Sequence, residues 1–413
     1  MSEPTSVAAS RKYDLYSQTT KDNPYPVFAQ MRLENPVYSQ LGLDGKTKIW
    51  FVTRFEDVQY ILHHDELFVR DSKNALPADK VHQPSQLEAL MFNHMLNKDG
   101  EDHRRLRTLV SQAFTPSRVR EMRPQVQAIS DDLIAAIKSK GQMDLIADYA
   151  FALPTIVISQ MLGIPTTDRE RFKQWTEATI APALTPEAQA KAGALLQEFA
   201  AYLGELFAAR RLNPQNDLIS ALLQAEEAGN QLSESELYST VVLLIIAGHE
   251  TTVNLIGNSI LALMRFPEAR AELQQHPEQM AGALDEFLRY DSPVERAFSR
   301  WAAKDTELGG QQIKQGDLVM GILGAANHDP EKFPNPEVLD LSRDAKRQLA
   351  FGHGMHFCLG MPLARLEGEI ALNSLLQNLP NLRLGVGEED LTWRTLPMFR
   401  GMKQIPIVWD MST

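Results

Sequence analysis

Residues 351–360 read FGHGMHFCLG and contain the only cysteine of the chain, Cys358. The thiol lies in a loop with Gly352, Gly354 and Gly360, and the loop opens directly onto a helical pattern. Glycine tolerates positive φ and close backbone approach. A helix N-terminus offers unpaired N–H groups and a partial positive charge, which stabilise a thiolate. The arrangement suits an anionic sulfur, either a nucleophile or a soft metal ligand. A lone cysteine is more often a buried structural thiol, and on the thiol alone all three readings stay open. His353 and His356 flank it, but no second cysteine or partner cluster stands at structural-zinc spacing. His249-Glu250 fails the metalloprotease pattern as well, because the position of its second His is Val253.

Upstream, Ser233-Glu234-Ser235-Glu236 reads as a capping box, and apolar residues then continue to Phe266 before Pro267. About 32 residues at ~1.5 Å each make a helix of roughly 48 Å, long enough to cross a domain. Shorter helices are expected at 268–275 and 277–290, and a last one from about Leu359 to Leu379. Between Asp102 and about residue 226 the pattern is helical, broken at Pro116, Pro154, Pro165, Pro186 and Pro214. Lys48 to Thr53 reads as a strand, residues 55–64 as a short helix, and 71–98 as a long, partly ordered loop. Gly309-Gly310 and Gly316-Asp317 between short apolar runs predict a small sheet over 294–325, and 381–410 reads as strands and turns. The sum is a mainly α protein with a minor β-sheet region, spanning 1–413 as a single domain, β-rich near 30–60, 294–325 and 381–410.

The cysteine stretch resembles the haem-ligand signature of the cytochromes P-450: Phe, two residues, Gly, three residues, Cys, one residue, Gly, met by Phe351, Gly354, Cys358 and Gly360. The resemblance implies that Cys358 is the axial thiolate of a haem b iron (iron protoporphyrin IX), with the haem between the long central helix and the cysteine loop and helix. A second signature, Glu-x-x-Arg, is matched by Glu286 and Arg289, to which the resemblance gives a structural role. A third, Ala247-Gly248-His249-Glu250-Thr251-Thr252, resembles the oxygen-activation motif inside the long helix. Threonine in mid-helix can bond back to the i−4 carbonyl and bend the helix. By resemblance Ala247 and Gly248 form the groove where dioxygen sits, and Glu250 and Thr251 manage protons during O–O scission. A fourth, His103 and Arg107 on one face of a helix, resembles the pair that holds haem propionates, joined by Arg300 and His356. The resemblance spans at least residues 100–365.

It further implies a monooxygenase that hydroxylates or epoxidises an apolar molecule, a fatty acid, terpenoid, steroid or macrocycle. The same family suggests a pocket lined by Leu90, Met91, Phe92, Met95 and Leu96, by Ile180 and Leu184, by Leu243, Ala247 and Thr251, and by Val294, Ala297, Phe298, Met398 and Phe399. The alternatives are a peroxide-using or rearranging haem-thiolate enzyme, disfavoured by the intact Glu250–Thr251 pair, and a non-catalytic haem sensor, which would call for an output domain.

Composition sets the remaining bounds. Hydrophobic residues make up 44% and charged residues 23% of the 413 positions, ordinary globular usage. With 41 Lys+Arg against 53 Asp+Glu, a net charge of −12 disfavours a nucleic-acid binder. One cysteine forbids an intrachain disulfide and cannot hold an iron–sulfur cluster, and no flavin segment is visible. Electrons must then come from a separate ferredoxin or flavodoxin and its NAD(P)H-dependent reductase. Arg104, Arg105, Arg118, Arg120, Lys346, Arg347 and Arg365 are the candidate docking cations. No apolar signal region precedes Thr20, and the longest apolar run, Val241 to Ala247, is far shorter than the ~18 residues of a membrane span. A soluble, cytoplasmic monomer of the bacterial type is expected.

Overall fold

The computed structural model describes residues 12–165, 169–227 and 232–411. The chain forms two compact units, one from Met1–Val81, Asn254–Cys358 and Arg383–Ile405, the other from His82–Val253, Leu359–Leu382 and Pro406–Thr413.

In the first unit a five-stranded sheet is assembled from distant segments, in the order Val37–Leu41, Lys48–Val52, Leu318–Gly321, Arg300–Ala302 and Phe68–Val69. The register pairs Val37 with Val52 antiparallel, Trp50 with Val319 parallel and Arg300 with Val319 antiparallel. The aromatic and β-branched residues of Lys48–Val52 suit a strand paired on both edges. Phe51 and Val52 are fully buried, and Val52 packs in a core with Val58, Ile61 and Phe68. The helix Phe55–His63 follows as expected, its first N–H donated to Asp329 at 2.9 Å. Gly309 and Gly310, at φ +55° and +75°, turn the hairpin Thr306–Leu308/Gln311–Ile313. Positive φ at both central residues is what a two-residue hairpin turn requires.

The second unit is helical. Arg123–Ile137 packs against Met361–Asn378, and Ser130, Tyr149 and the Ala371 carbonyl hydrogen-bond in its interior. Trp175 stacks on Phe199 at 4.8 Å between Arg169–Ile180 and Pro186–Leu212. Three local expectations need correction. Pro154 does not break its helix. It lies within Ala152–Leu162, which continues the π-helical stretch Leu145–Ala150 through Phe151 in helical conformation. A short strand, Gln142–Asp144, interrupts the helical region and pairs with Pro406–Val408. The expected loop at 71–98 holds a helix, Gln86–Phe92, started by a Ser85/Glu88 capping box, and several short helical turns.

The long helix is Glu234–Arg265, and its predicted capping box forms: Ser233 N–H donates to Glu236 at 2.8 Å, and Glu236 N–H to the Ser233 hydroxyl at 3.3 Å. Leu145–Leu162 and this helix are long and apolar enough to cross a membrane, but 67% and 78% of their most apolar windows are buried inside the protein.

Candidate functional site

Candidate residues occur on both units. On the first, Gly352 and Gly354 adopt φ +73° and +72°, and the resulting turn brings the Cys358 N–H to the Phe351 carbonyl at 2.9 Å and the Phe357 N–H to the Gly354 carbonyl at 3.0 Å. Gly354 has a second reason to be glycine: a Cβ there would stand 2.4 Å from the Leu62 carbonyl oxygen. The loop therefore leans directly on the end of Phe55–His63. Cys358 is half-buried, which departs from the fully buried structural thiol.

The same loop is held from two further directions. Asp65 accepts the Met355 N–H at 3.2 Å and receives Arg300 Nη1 at 2.7 Å. Arg300 also donates to the Phe68 carbonyl at 3.0 Å and is 3% exposed. The Leu349 N–H, just upstream, donates to Asn327 Oδ1 at 2.8 Å.

Asn327 leads to the Glu-x-x-Arg pair. Arg289 makes a two-pronged bond to Glu286 at 2.7 and 2.8 Å and donates to the carbonyls of Asn327, Pro336 and Val338. Glu286 in turn accepts the Asp340 N–H at 2.9 Å and Arg343 Nε at 3.2 Å. Both members are buried, so the pair gathers the irregular 327–343 segment rather than decorating a surface.

On the second unit, the mid-section of the long helix changes character. Val241 to Ile246 are buried, as are His249, Glu250 and Thr252. Ala247 is exposed, and Gly248 and Thr251 are partly so. Thr251 Oγ1 donates to the Ala247 carbonyl at 3.2 Å, the expected i−4 back-bond. The accessible strip is thus lined by a methyl, a hydroxyl and a glycine. Gly248 also meets a packing demand, since a Cβ would fall 2.8 Å from Ile158 Cγ1. His249 Nδ1 bonds the Ile245 carbonyl at 2.6 Å, and Nε2 lies 3.4 Å from the Thr176 hydroxyl. Both ring nitrogens being engaged within the core leaves His249 in a packing role.

His103 and Arg107 lie on one face of Gly100–Ser111, with His103 buried. Between them Arg105 turns to Glu236, with Nη1 at 3.3 Å, and ties this helix to the start of the long one. That engagement takes Arg105 out of the freely presented cations. Arg104, Arg118 and Arg120 stay exposed on the same unit, and Lys346 and Arg347 on the other. Glu367, on Met361–Asn378, is wholly buried with its carboxyl beside Thr252. Burial pushes it up to about 8, and the Thr252 hydroxyl offsets this only partly.

On the first unit, the half-exposed Cys358 thiol stands on a glycine-built loop that Asp65 also ties to the buried Arg300 guanidinium. A soft sulfur with a cation held to the same loop suits an anionic metal cofactor. The family model described as Cytochrome P450 matches residues 17–383. The chain belongs to the cytochrome P450 family. A cytochrome P450 of Bacillus subtilis (strain 168) is 42% identical over 407 residues, covering 98% of each chain. The vitamin D(3) 25-hydroxylase of Pseudonocardia autotrophica is 39% identical over 399 residues, covering 96% of each. Among solved structures, the myxobacterial cytochrome P450 CYP267B1 in complex with myristic acid superposes with a TM-score of 0.92 at 39% identity, covering 96% of this chain and 99% of that one. The protein is accordingly a P450 enzyme with the monooxygenase activity general to the family, which uses haem iron and dioxygen.

Within this P450, sequence reasoning passed over Asp65, Asn327, Asp340 and Arg343, which hold Arg300, the cysteine loop and the Glu286–Arg289 pair. Asp65 carries no sequence signal. Arg343 lies in the Pro- and charge-rich stretch 330–350, where no motif names a partner. The proposed pocket residues divide by unit. Met91, Met95 and Leu243 are buried on the second, with Leu90 partly and Phe92 37% exposed. On the first, Val294 and Phe399 form an antiparallel bridge, Ala297 is buried, Met398 is partly buried, and Phe298 is 42% exposed under the Arg70 guanidinium at 5.1 Å.

Proposed function

We propose that the protein inserts one oxygen atom from dioxygen into an apolar small molecule, as a hydroxylation or epoxidation. The observation that carries this reading is the half-exposed Cys358 in a loop shaped by Gly352 and Gly354, together with the Thr251–Ala247 back-bond on the accessible strip of the long helix. When bound, haem b supplies the oxygen-activating iron. Cys358 would supply the sulfur that holds it, and Phe351 and Gly360 belong to the loop that carries that sulfur. His103, Arg107, Arg300 and His356 would hold its two propionates, Arg300 being held in place by Asp65. Ala247 and Gly248 shape the groove, the Thr251 hydroxyl, its hydrogen directed to the Ala247 carbonyl, turns its lone pairs to the accessible strip, and Glu250 helps relay protons there.

The apolar, methionine-containing set Leu90, Met91, Phe92, Met95, Leu243, Ala247, Val294, Ala297, Phe298, Met398 and Phe399 binds substrate and excludes water, and its adaptable side chains suit a fatty acid or a steroid-like molecule. The ligand of CYP267B1 and the name of the vitamin D(3) hydroxylase support that range. Electrons come from a separate ferredoxin or flavodoxin with its reductase. The exposed Arg104, Arg118 and Arg120 steer an acidic partner, and the enzyme acts in the cytoplasm as a monomer without flavin or iron–sulfur cluster.

The test is spectroscopic. The purified chain takes up hemin and its ferrous–CO complex has thiolate-type absorption, which Cys358→Ser abolishes. A colourless protein that refuses hemin, or a variant that keeps the spectrum, overturns the reading.

A further inference from the structure

Five charged side chains from three separated segments meet in the interior of the first unit. Lys21, Asp291, Glu295, Arg296 and Arg400 are each at most 3% exposed. Lys21 Nζ donates to Glu295 Oε1 at 2.9 Å, and Arg296 Nε to the same oxygen at 3.1 Å. Arg400 Nε donates to Asp291 Oδ1, which also accepts the Tyr25 hydroxyl at 2.8 Å. The N-terminal segment joins the two clusters: Arg400 donates to the Lys21 carbonyl and Arg296 to the Leu15 carbonyl.

A buried ionic cluster of this kind is a poor source of stability, because desolvation offsets its attraction and apolar replacements are often neutral or better. What it does set is geometry. The N–H groups of Glu295 and Arg296 both donate to the Met398 carbonyl, at 2.8 and 3.3 Å, and the Arg400 N–H donates to the Pro293 carbonyl at 2.9 Å. Val294 and Phe399 are bridge partners in the same pairing. Neighbours in extended backbone point to opposite faces. The charged Glu295 and Arg400 therefore alternate with Val294 and Phe399, two of the proposed pocket residues.

We propose that this charge frame, with Lys21 as the member supplied by the N-terminal segment, sets the spacing of segments 293–298 and 398–400 and so decides which apolar molecules the enzyme accepts. The inference rests on the pocket reading given above. Its residues are positioning residues, acting through Val294 and Phe399.

The test uses the full chain loaded with hemin, unaltered and as Lys21→Met, with Glu295→Gln as the second variant should the first fail to fold. Imidazole, which needs only the iron, and 4-phenylimidazole, whose ring also needs the pocket wall, are titrated spectroscopically. Expected is a loss of about tenfold in 4-phenylimidazole affinity, the scale of a lost apolar contact, with imidazole affinity unchanged. Equal losses for both probes, or none, overturn the proposal. Amide hydrogen exchange over 293–298 and 398–402, measured with and without hemin, is expected to quicken in the variants, and unchanged protection also overturns it. If the unaltered protein gives no azole spectrum, the pocket reading fails, and the exchange measurement still decides whether the frame orders these segments.

Discussion

Asp65 shares its carboxylate between two residues far along the chain, Arg300 Nη1 at 2.7 Å and the Met355 N–H at 3.2 Å. One short acidic side chain after the helix Phe55–His63 thereby sets the position of a proposed propionate donor and of the loop that ends in Cys358. Removing it leaves a guanidinium that is 3% exposed without its counter-ion. Asp65→Ala is expected to destabilise by about 3 kcal/mol, the usual scale for breaking a buried pair from one side. Urea denaturation should show this, and hemin retention should fall with it. A change below about 0.5 kcal/mol, the range of an ordinary surface substitution, would show that Arg300 finds another partner.

Two glycines of the cysteine loop should respond differently to alanine. Gly354 sits at φ +72° with its Cβ position 2.4 Å from the Leu62 carbonyl oxygen. Gly354→Ala is expected to cost about 2 kcal/mol or more through backbone strain and displacement. Gly360 has an ordinary φ of −79° and nothing within 4 Å of its Cβ position. Gly360→Ala should leave thermal stability of the hemin-free protein within about 0.5 kcal/mol and weaken hemin uptake, because it removes the close backbone approach that glycine allows in the loop carrying Cys358. Comparing melting and hemin titration for the pair separates the two effects.

Glu367 gives a pH signature. Its carboxyl is raised from 4.5 to about 8 by burial, so the folded chain binds a proton there that the unfolded chain has released. The contribution is complete below about pH 4.5 and declines as pH rises, being lost above about pH 8. Glu367→Gln keeps the neutral shape without a titrating group. Melting temperature followed from pH 5 to 8.5 should therefore fall less steeply in the variant than in the unaltered protein. Parallel curves would mean that Glu367 is ionised in the fold.

The Thr251 hydroxyl bonds back to the Ala247 carbonyl within its own helix, at 3.2 Å. Deleting that hydroxyl should leave fold and hemin binding intact. Thr251→Ala is expected to divert reducing equivalents to hydrogen peroxide, with a clear fall in product formed per NAD(P)H, while Thr251→Ser retains most of it. Unchanged coupling in the alanine variant would remove Thr251 from proton handling.

Arg343 and Asn327 show where reading the chain reached its limit. Signals carried by neighbouring residues were legible. The Ser233/Glu236 capping box, the Gly309-Gly310 turn, the strand at Lys48–Val52 and the i−4 bond of Thr251 all depend on groups within a few positions of each other, and all form as local stereochemistry requires. The resemblance carried by Phe351, Gly354, Cys358 and Gly360, by Glu286 and Arg289, and by Ala247 to Thr252 identified the family, which the comparisons establish. The Ser85/Glu88 capping box was equally available and would have placed a helix in the 71–98 segment.

The rest was decided by where the folded chain returns. Asp65 meets Arg300 across 235 positions, and Lys21 meets Glu295 across 274. No periodicity or turn residue encodes such a pairing, since its partners are chosen by the packing of whole elements and by the need of buried charge for a counter-ion. Gly248 makes the same point from inside a motif. Sequence made it part of an oxygen-activation groove, and only the tertiary structure reveals Ile158 pressed against it. Sequence alone thus determined the family and, through it, the sulfur proposed as the ligand. Tertiary structure decided which buried charges hold that sulfur's loop in place, because a long-range contact exists only once the chain between its ends has been folded.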